Sequence, residues 1–230
     1  MILDLINTIK FYNFLNIGII DLFLIICFGS KARWFQLHAV INLYIVYLIK
    51  NDIYNIYLNP INGINKLTDH NDTSIIFNLH LYHIVMFGKL NFDEYIHHLL
   101  FVFLGVLPSY LYIKTNILKI GYLACCGLPG FIEYSSLTLV KNHFLNPISQ
   151  KHLMIYIYNF IRLPLSLLGC FLNLMMYKVS ILDETKKYNN DLLFFYINFL
   201  LYLNSTYYNY ATINNFYKNL YRIYLKSFIN

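Results

Sequence analysis

Long apolar runs separated by short polar stretches are the feature that most restricts the fold of this chain. The runs lie at about residues 11–28, 35–49, 74–90, 92–113, 120–140, 153–177 and 192–211. A helix that crosses a bilayer needs about 20 mostly apolar residues. With 58% hydrophobic and 12% charged residues and a mean hydropathy of +0.50, the chain has too few charges to cover a water-facing surface. We therefore expect an all-α, multi-pass transmembrane helical bundle of about six to seven spans.

The charge of the chain limits the classes of partner that we expect it to bind. The formal net charge of +6 is scattered along the sequence, with no long basic run. Nucleic acid is therefore not an expected partner, whereas the headgroups of membrane lipids would attract such a surface. Lysine and arginine are divided evenly between the two sides of a seven-span arrangement, so they do not decide its orientation.

A pair of adjacent histidines stands near the start of the fourth run. Asn91 and Glu94 have the spacing of a capping box, which predicts that a helix begins here. On that helix Asp93 lies one turn before His97, and Glu94 one turn before His98. Each imidazole then has a carboxylate within hydrogen-bond reach, which would orient the ring. Because ionisable groups at membrane depth are costly and mark function, we take His97, His98 and Asp93 as candidate catalytic residues.

Further histidines fall within the second and third runs. His38 lies in the second run, and His80 and His83 share one face of the third. We expect these three side chains to face protein or a cavity. Between the two runs, residues 50–73 are polar and contain proline, glycine and three aspartates, which predicts a loop.

The fifth and sixth runs each carry one charged residue. The sequence Gly127-Leu128-Pro129-Gly130 interrupts the fifth run before Glu133, and such a break is tolerated only beside protein or a cavity. Arg162 lies in the sixth run and needs a partner there. We predict an ion pair or a shared water network between Glu133 and Arg162. The sixth run also has a polar helical stripe, formed by Asn159, Arg162, Ser166 and Asn173.

Five landmarks in chain order resemble the TLC-domain family of multi-spanning endomembrane proteins, which includes ceramide synthases and smaller lipid-homeostasis proteins. The landmarks are Arg33 to Ala39, Asp93 with His97-His98, Glu133-Tyr134-Ser135, Arg162, and Leu203 to Tyr208. Ceramide synthases also carry aspartates on the span after the histidine pair. No aspartate occurs here between Leu99 and Leu182, so the chain is more similar to the smaller members.

The resemblance implies an organisation and a location. Residues 1–30 would form an N-terminal transmembrane helix, residues 31–212 a TLC-like membrane domain, and residues 213–230 a basic, aromatic tail. The protein would lie in the endoplasmic reticulum or a related endomembrane and act in lipid metabolism of the sphingolipid or ceramide type. Glu133 joins the candidate catalytic residues, and the candidate substrate-binding residues are His38, His80, His83, Arg162 and Asn204.

Two classes of function account for these residues. In the first, an enzyme transfers an acyl group, with His97 or His98 as general base or acyl carrier and acyl-CoA as co-substrate; we expect no resident cofactor or metal. In the second, a non-enzymatic protein binds or regulates lipids through the same polar cavity. A histidine-box di-iron desaturase or hydroxylase has less support, because no His-x-x-His-His box occurs. A channel is permitted by the polar stripes, but nothing in the sequence requires one.

Overall fold

A computed structural model of the chain describes residues 10–88, 90–113, 115–182 and 191–229. Its secondary structure is helical, apart from one isolated bridge between Leu67 and Thr115. The helices are α1 (Tyr12–Phe28), α2 (Arg33–Leu58), α3 (Pro60–Asn65), α4 (Asn71–Phe87), α5 (Phe92–Tyr112), α6 (Asn116–Lys141), α7 (Pro147–Ile157, Tyr158–Arg162 and Leu163–Leu182) and α8 (Asp191–Ile229). The expectation of an all-helical chain is confirmed for the described residues.

Three helices are long and apolar enough to cross a membrane. They are α5, α6 and the part of α7 from Pro147 to Val179. The 17 residues of α1 are apolar as well, although this helix is shorter. The outer faces of these helices agree with a lipid environment, since Ile26 on α1 and Phe160 on α7 are both more than 70% exposed.

Six helices follow one another around a closed ring. In the order of their contacts these are α2, α6, α7, α8, α5 and α4, and α4 packs against α2 again. Helix α1 lies outside the ring, where it packs on α4 and α2. Its buried residues recur every three to four positions at Asn13, Ile17, Asp21 and Leu24, as one face of a helix requires. Every residue from Asp72 to His80 on α4 is buried as a result.

Three Leu-Pro sequences give the ring its distorted turns. Proline has no N–H and crowds the carbonyl four residues before it, so an ordinary turn cannot form there. The helix continues instead through wider π-helical turns, which replace the break that we predicted after Gly127. The N–H of the leucine before each proline donates to the carbonyl five residues earlier: Leu107 to Val102, Leu128 to Leu123, and Leu163 to Tyr158.

The predicted loop at residues 50–73 is mostly helical. Helix α2 continues to Leu58, well beyond the predicted end of the second run at residue 49, and α3 folds back against it. The loop prediction rested on the polar composition and did not take account of Ile56 and Ile64, both of which are buried in the core. The close return also needs Gly63, because a Cβ atom there would lie 2.6 Å from Cα of Ile56.

The polar stripe on α7 pairs with polar side chains of α8 at four levels. The Asn209 amide donates to Asn159 at 2.9 Å, and the hydroxyls of Ser166 and Ser205 are in contact. The remaining two levels are Arg162 with Asn204 at 2.5 Å and Asn173 with Asn198 at 3.0 Å. Such bonds hold helices together in a bilayer, where burial of apolar surface supplies little driving force. Helix α8 continues through residue 212 into the predicted tail.

Two ion pairs that the sequence did not reveal connect different helices. Arg33 donates to both carboxylate oxygens of Asp21, which also accepts from the Tyr82 hydroxyl at 2.7 Å. Lys119 donates to Asp72 at 2.6 Å, and both side chains are 3% exposed. The first contact joins α1, α2 and α4, and the second joins α6 to the start of α4. Both therefore fix helices that line the ring.

Candidate functional site

The ring of helices encloses a polar cavity of about 250 Å³, which we call the polar chamber. It is lined by Trp34, His38, Asn42, His80, His83, Asn91, Asp93, Glu94, His97, His98, Cys125, Cys126, Gly130, Glu133, Tyr134, Tyr158, Arg162 and Tyr208. All six ring helices contribute to this lining. The structure thus brings together every candidate site residue except Asn204, which accepts a hydrogen bond from Arg162 and lines a neighbouring cavity.

Five histidines from three helices form one cluster in this chamber. Neighbouring ring centroids lie 5.0 to 6.2 Å apart. Nε2 of His98 lies 3.1 Å from Nδ1 of His83, so one of these nitrogens donates to the other. His38, His80, His83 and His98 are buried, and His97 is half-buried. Within the described residues, no group of three or more His, Cys, Asp or Glu side chains is arranged to hold a metal ion.

The histidine pair begins as predicted but has different partners. The capping box is confirmed, because Asn91 accepts from the Glu94 N–H at 2.9 Å and Glu94 accepts from the Asn91 N–H at 2.8 Å. Glu94 is therefore occupied by the helix end, while Asp93 is exposed at the chamber rim. In place of the predicted carboxylates, His98 is hydrogen-bonded to His83, and His97 to Tyr208.

The partner of His97 comes from the far end of the chain. The Tyr208 hydroxyl lies 2.7 Å from Nδ1 of His97, and the two rings are in edge contact. With Nδ1 bonded to Tyr208, Nε2 of His97 is the ring nitrogen left for a ligand. The π-helical turn from His97 to Val106 places this imidazole and that of His98 on the inner side of α5.

Glu133 and Arg162 line the same chamber but do not form the predicted ion pair. Glu133 accepts a hydrogen bond from the Tyr158 hydroxyl, and Arg162 donates to Asn204. The guanidinium carbon of Arg162 lies 4.7 Å from the Tyr158 ring centroid and 4.8 Å from that of Tyr208. Two aromatic faces thus stand where we expected the carboxylate, and cation–π contact holds the guanidinium in place.

The single tryptophan of the chain packs against the histidine cluster. The Trp34 ring stacks on the His83 ring, with 3.4 Å between the ring centroids. Its contact with the His38 ring is edge-to-face, also with 3.4 Å between centroids. Arg33, its neighbour, points away from the chamber to Asp21 on α1. Residues 33–39 therefore serve two purposes, since Arg33 anchors α1 and the two aromatic rings line the chamber.

A second, apolar cavity of about 130 Å³ adjoins the polar one, and we call it the apolar chamber. Residues such as Ile76, Phe101, Val102, Leu200 and Leu201 supply most of its walls. The glycines Gly105 and Gly121 leave room for it at two helix contacts. Both chambers are lined by His80, His97, Cys125, Cys126 and Arg162. These five side chains form the boundary between a polar space and an apolar one.

Several lining residues were not among the predicted site residues. Tyr208 and Trp34 belong to two of the landmark motifs, and that position was the only sequence signal for them. Tyr158 lies one turn before Arg162, so the helical stripe could have indicated it. Cys125 and Cys126 gave no signal beyond their place in an apolar run.

Comparisons of the chain with protein-family models, with curated proteins and with solved structures find no match. The chemistry of the site therefore has to be argued from its residues and their geometry.

Proposed function

We propose that this chain is a TLC-like multi-pass membrane protein of the endoplasmic reticulum or a related endomembrane, and that it binds an amphiphilic lipid and acts in lipid metabolism. One observation carries the proposal: a polar chamber and an apolar chamber share a boundary at His80, His97, Cys125, Cys126 and Arg162. A lipid headgroup suits the first chamber and an acyl chain suits the second. Ligand sites are commonly apolar clefts with a few polar groups at one end.

The way in which the helices pack supports a count of six to seven spans. Helix α4 is rich in polar residues, yet its polar residues from Asp72 to His80 are buried, because α1 covers its outer side. Helices α2 and α8 also turn polar residues such as His38, Asn42 and Asn204 inward. Mean hydropathy therefore understates how well these helices suit a bilayer. Together with α1, α5, α6 and α7 they account for seven spans.

The pair of His97 and Tyr208 provides the chemistry for acyl transfer. When Nδ1 of His97 carries the proton and donates to the Tyr208 oxygen, the Nε2 lone pair is free to accept a proton from a hydroxyl or an amine. The deprotonated oxygen or nitrogen attacks the carbonyl of an acyl thioester, and the acyl group moves to it. The bond between the carbonyl carbon and sulfur breaks, and the CoA thiolate leaves and takes up the proton from Nε2 of His97. Glu133 and Tyr158 line the same chamber, where they contact the headgroup.

Lipid binding without catalysis is the second candidate, and one observation favours it. Neither His97 nor His98 has a carboxylate partner, because Glu94 caps its helix and Asp93 lies at the rim. A carboxylate that stabilises an imidazolium is usual beside a histidine base. In its absence the cluster would recognise a headgroup through neutral hydrogen bonds alone.

Comparative lipidomics of cells that express the wild type, His97→Gln and His152→Gln tests the proposal. His152 is exposed on α7 and serves as the matched control. Acyl transfer predicts that the wild type and His152→Gln alter one lipid class by the same amount, whereas His97→Gln loses the effect. General-base catalysis contributes about 10²- to 10⁴-fold, so the loss should be nearly complete. An unchanged effect in His97→Gln would favour binding alone, and no altered lipid with the wild type would contradict both candidates.

A further inference from the structure

Arg162 is a buried cation with unused hydrogen-bonding capacity. Its side chain is 5% exposed and lies in the π-helical turn from Tyr158 to Arg162. Nη2 donates to Asn204 at 2.5 Å, while Nε is buried and has no hydrogen-bond partner. Guanidinium presents five N–H donors in a fixed plane, and its bond to Asn204 uses only part of that set.

No carboxylate contacts this cation. The ion pairs within the described residues are formed by Lys10, Arg33, Lys66 and Lys119. Glu133 is the acid on the adjoining helix face, and it is occupied by the Tyr158 hydroxyl. A buried charge is normally paired, because its desolvation is costly. The two tyrosine rings, the Asn204 oxygen and the nearby Glu133 charge, which does not touch the guanidinium, meet only part of this requirement.

The charged side chains that line the two chambers indicate where an anion would bind. Among the described residues that line either chamber, Arg162 is the one lysine or arginine. Asp93 and Glu94 stand together at the rim, and Glu133 lies on the same side as Arg162, bonded to the Tyr158 hydroxyl. These acids would repel a headgroup with several negative charges. A single negative charge next to Arg162 is therefore the favoured arrangement.

We propose that Arg162 binds a monoanionic oxygen group, a carboxylate or a phosphodiester, at the head of an amphiphile whose chain enters the apolar chamber. The assignment rests on the proposed lipid-binding function and specifies the class of lipid. Arg162 lines both chambers, so it lies where the head of such a lipid would meet its chain. Planar N–H donors suit both oxygen groups. Asn204 acts as a positioning residue that holds the guanidinium in place.

Trp34 supplies a reporter for the test, because it is the only tryptophan and lines the polar chamber. The full chain in neutral detergent is titrated with oleate, with an oleoyl lysophosphodiester lipid and with oleyl alcohol, at a pH where oleate is ionised. The chain length is common to all three probes, so the headgroup is the variable. Inorganic phosphate is added as a competitor, to separate a lipid head from a free anion.

The wild type should bind at least one anionic lipid about tenfold or more tightly than oleyl alcohol, since hydrogen bonds to charged groups are the strong ones. The preferred anionic lipid identifies the head as carboxylate or phosphodiester. Inorganic phosphate should not displace it, and displacement would overturn the assignment to a lipid head. Arg162→Met should reduce anion binding to the level of the alcohol and leave alcohol binding unchanged, while Arg162→Lys retains part of the preference.

Arg222 is an exposed arginine on α8, so Arg222→Met is the matched control and should bind all three lipids like the wild type. Equal binding of the alcohol and both anions by the wild type would overturn the role of Arg162 and leave the lipid-binding function in place. This comparison needs no variant, so it holds even if Arg162→Met fails to fold. A preference for anions that persists in Arg162→Met would also overturn the assignment. No binding of any probe would contradict the proposed function itself.

Discussion

The Tyr208 hydroxyl lies 2.7 Å from Nδ1 of His97, a contact between residues 111 positions apart. It links α5 to the neighbouring α8 and decides which nitrogen of His97 faces a ligand. The same tyrosine ring lies against the guanidinium of Arg162. Tyr208 therefore connects the imidazole of the proposed chemistry to the cation of the proposed headgroup site.

Removal of the Tyr208 hydroxyl should reduce a His97-dependent lipid change by about 10- to 100-fold, the usual effect of losing a partner that orients an imidazole. Tyr208→Phe keeps the ring over Arg162, so packing is largely preserved. Tyr207→Phe alters the exposed neighbouring tyrosine and should have no effect. Rates of product formation in membranes measure the change.

A double variant separates this positioning role from a general loss of structure. In a His97→Gln background, Tyr208→Phe should have no further effect, because the hydroxyl would act only through His97. A full additional loss in the double variant would show that Tyr208 acts on its own.

Among the charge contacts, loss of the ion pair between Lys119 and Asp72 should reduce the free energy of unfolding most. Lys119→Met leaves the Asp72 carboxylate buried without a cation, which costs about 3 to 5 kcal/mol of the free energy of unfolding. Lys66→Met removes a partly exposed pair with Asp52 and should cost about 1 kcal/mol or less. Thermal or denaturant unfolding in detergent measures both. Equal effects of the two variants would contradict the buried pair.

Alanine substitutions at two glycines should change the free energy of unfolding in different directions. Gly63→Ala places a Cβ atom 2.6 Å from the backbone of α2 at Ile56, and backbone atoms cannot move aside cheaply. We expect a loss of about 1 to 3 kcal/mol, as for overpacked sites. At Gly121 the nearest atoms are 3.5 Å away on Leu201, so Gly121→Ala should be neutral or gain up to about 1 kcal/mol from helix propensity. Thermal unfolding of both variants checks the contrast, and a stable Gly63→Ala protein would contradict the α2–α3 packing.

Local patterns in the sequence predicted the parts of the site that depend on one helix. The capping box at Asn91 and the polar stripe through Arg162 are set by residues three or four positions apart, so helical spacing was sufficient. The partners of Asp21, Asp72 and His97 come from other helices, at separations that no local pattern records. Pairing between helices depends on how they rotate and tilt in the ring. For that reason the sequence suggests an ion pair or a shared water network between Glu133 and Arg162, whereas the direct partner of Glu133 in the structure is Tyr158.

The predicted helix boundaries were wrong for a related reason. Residues 50–73 are polar in composition, yet buried isoleucines at positions 56 and 64 make them helical. The Leu128-Pro129 sequence indicated a disturbance of the helix correctly, but not its form. A wider turn satisfies the backbone without a break, and it forms only where neighbouring helices leave room for it.

Mass spectrometry of lipids that co-purify with the protein tests the central claim, a two-chamber lipid site, most directly. Cys125 lines both chambers, so Cys125→Phe should block their boundary, while Cys27→Phe alters an exposed cysteine on α1 and is the matched control. We predict that the wild type and Cys27→Phe retain the same amphiphile, and that a Cys125→Phe protein of unchanged monodispersity loses it. Retention of that lipid by Cys125→Phe, or no lipid retained above the detergent background by the wild type, would contradict the account.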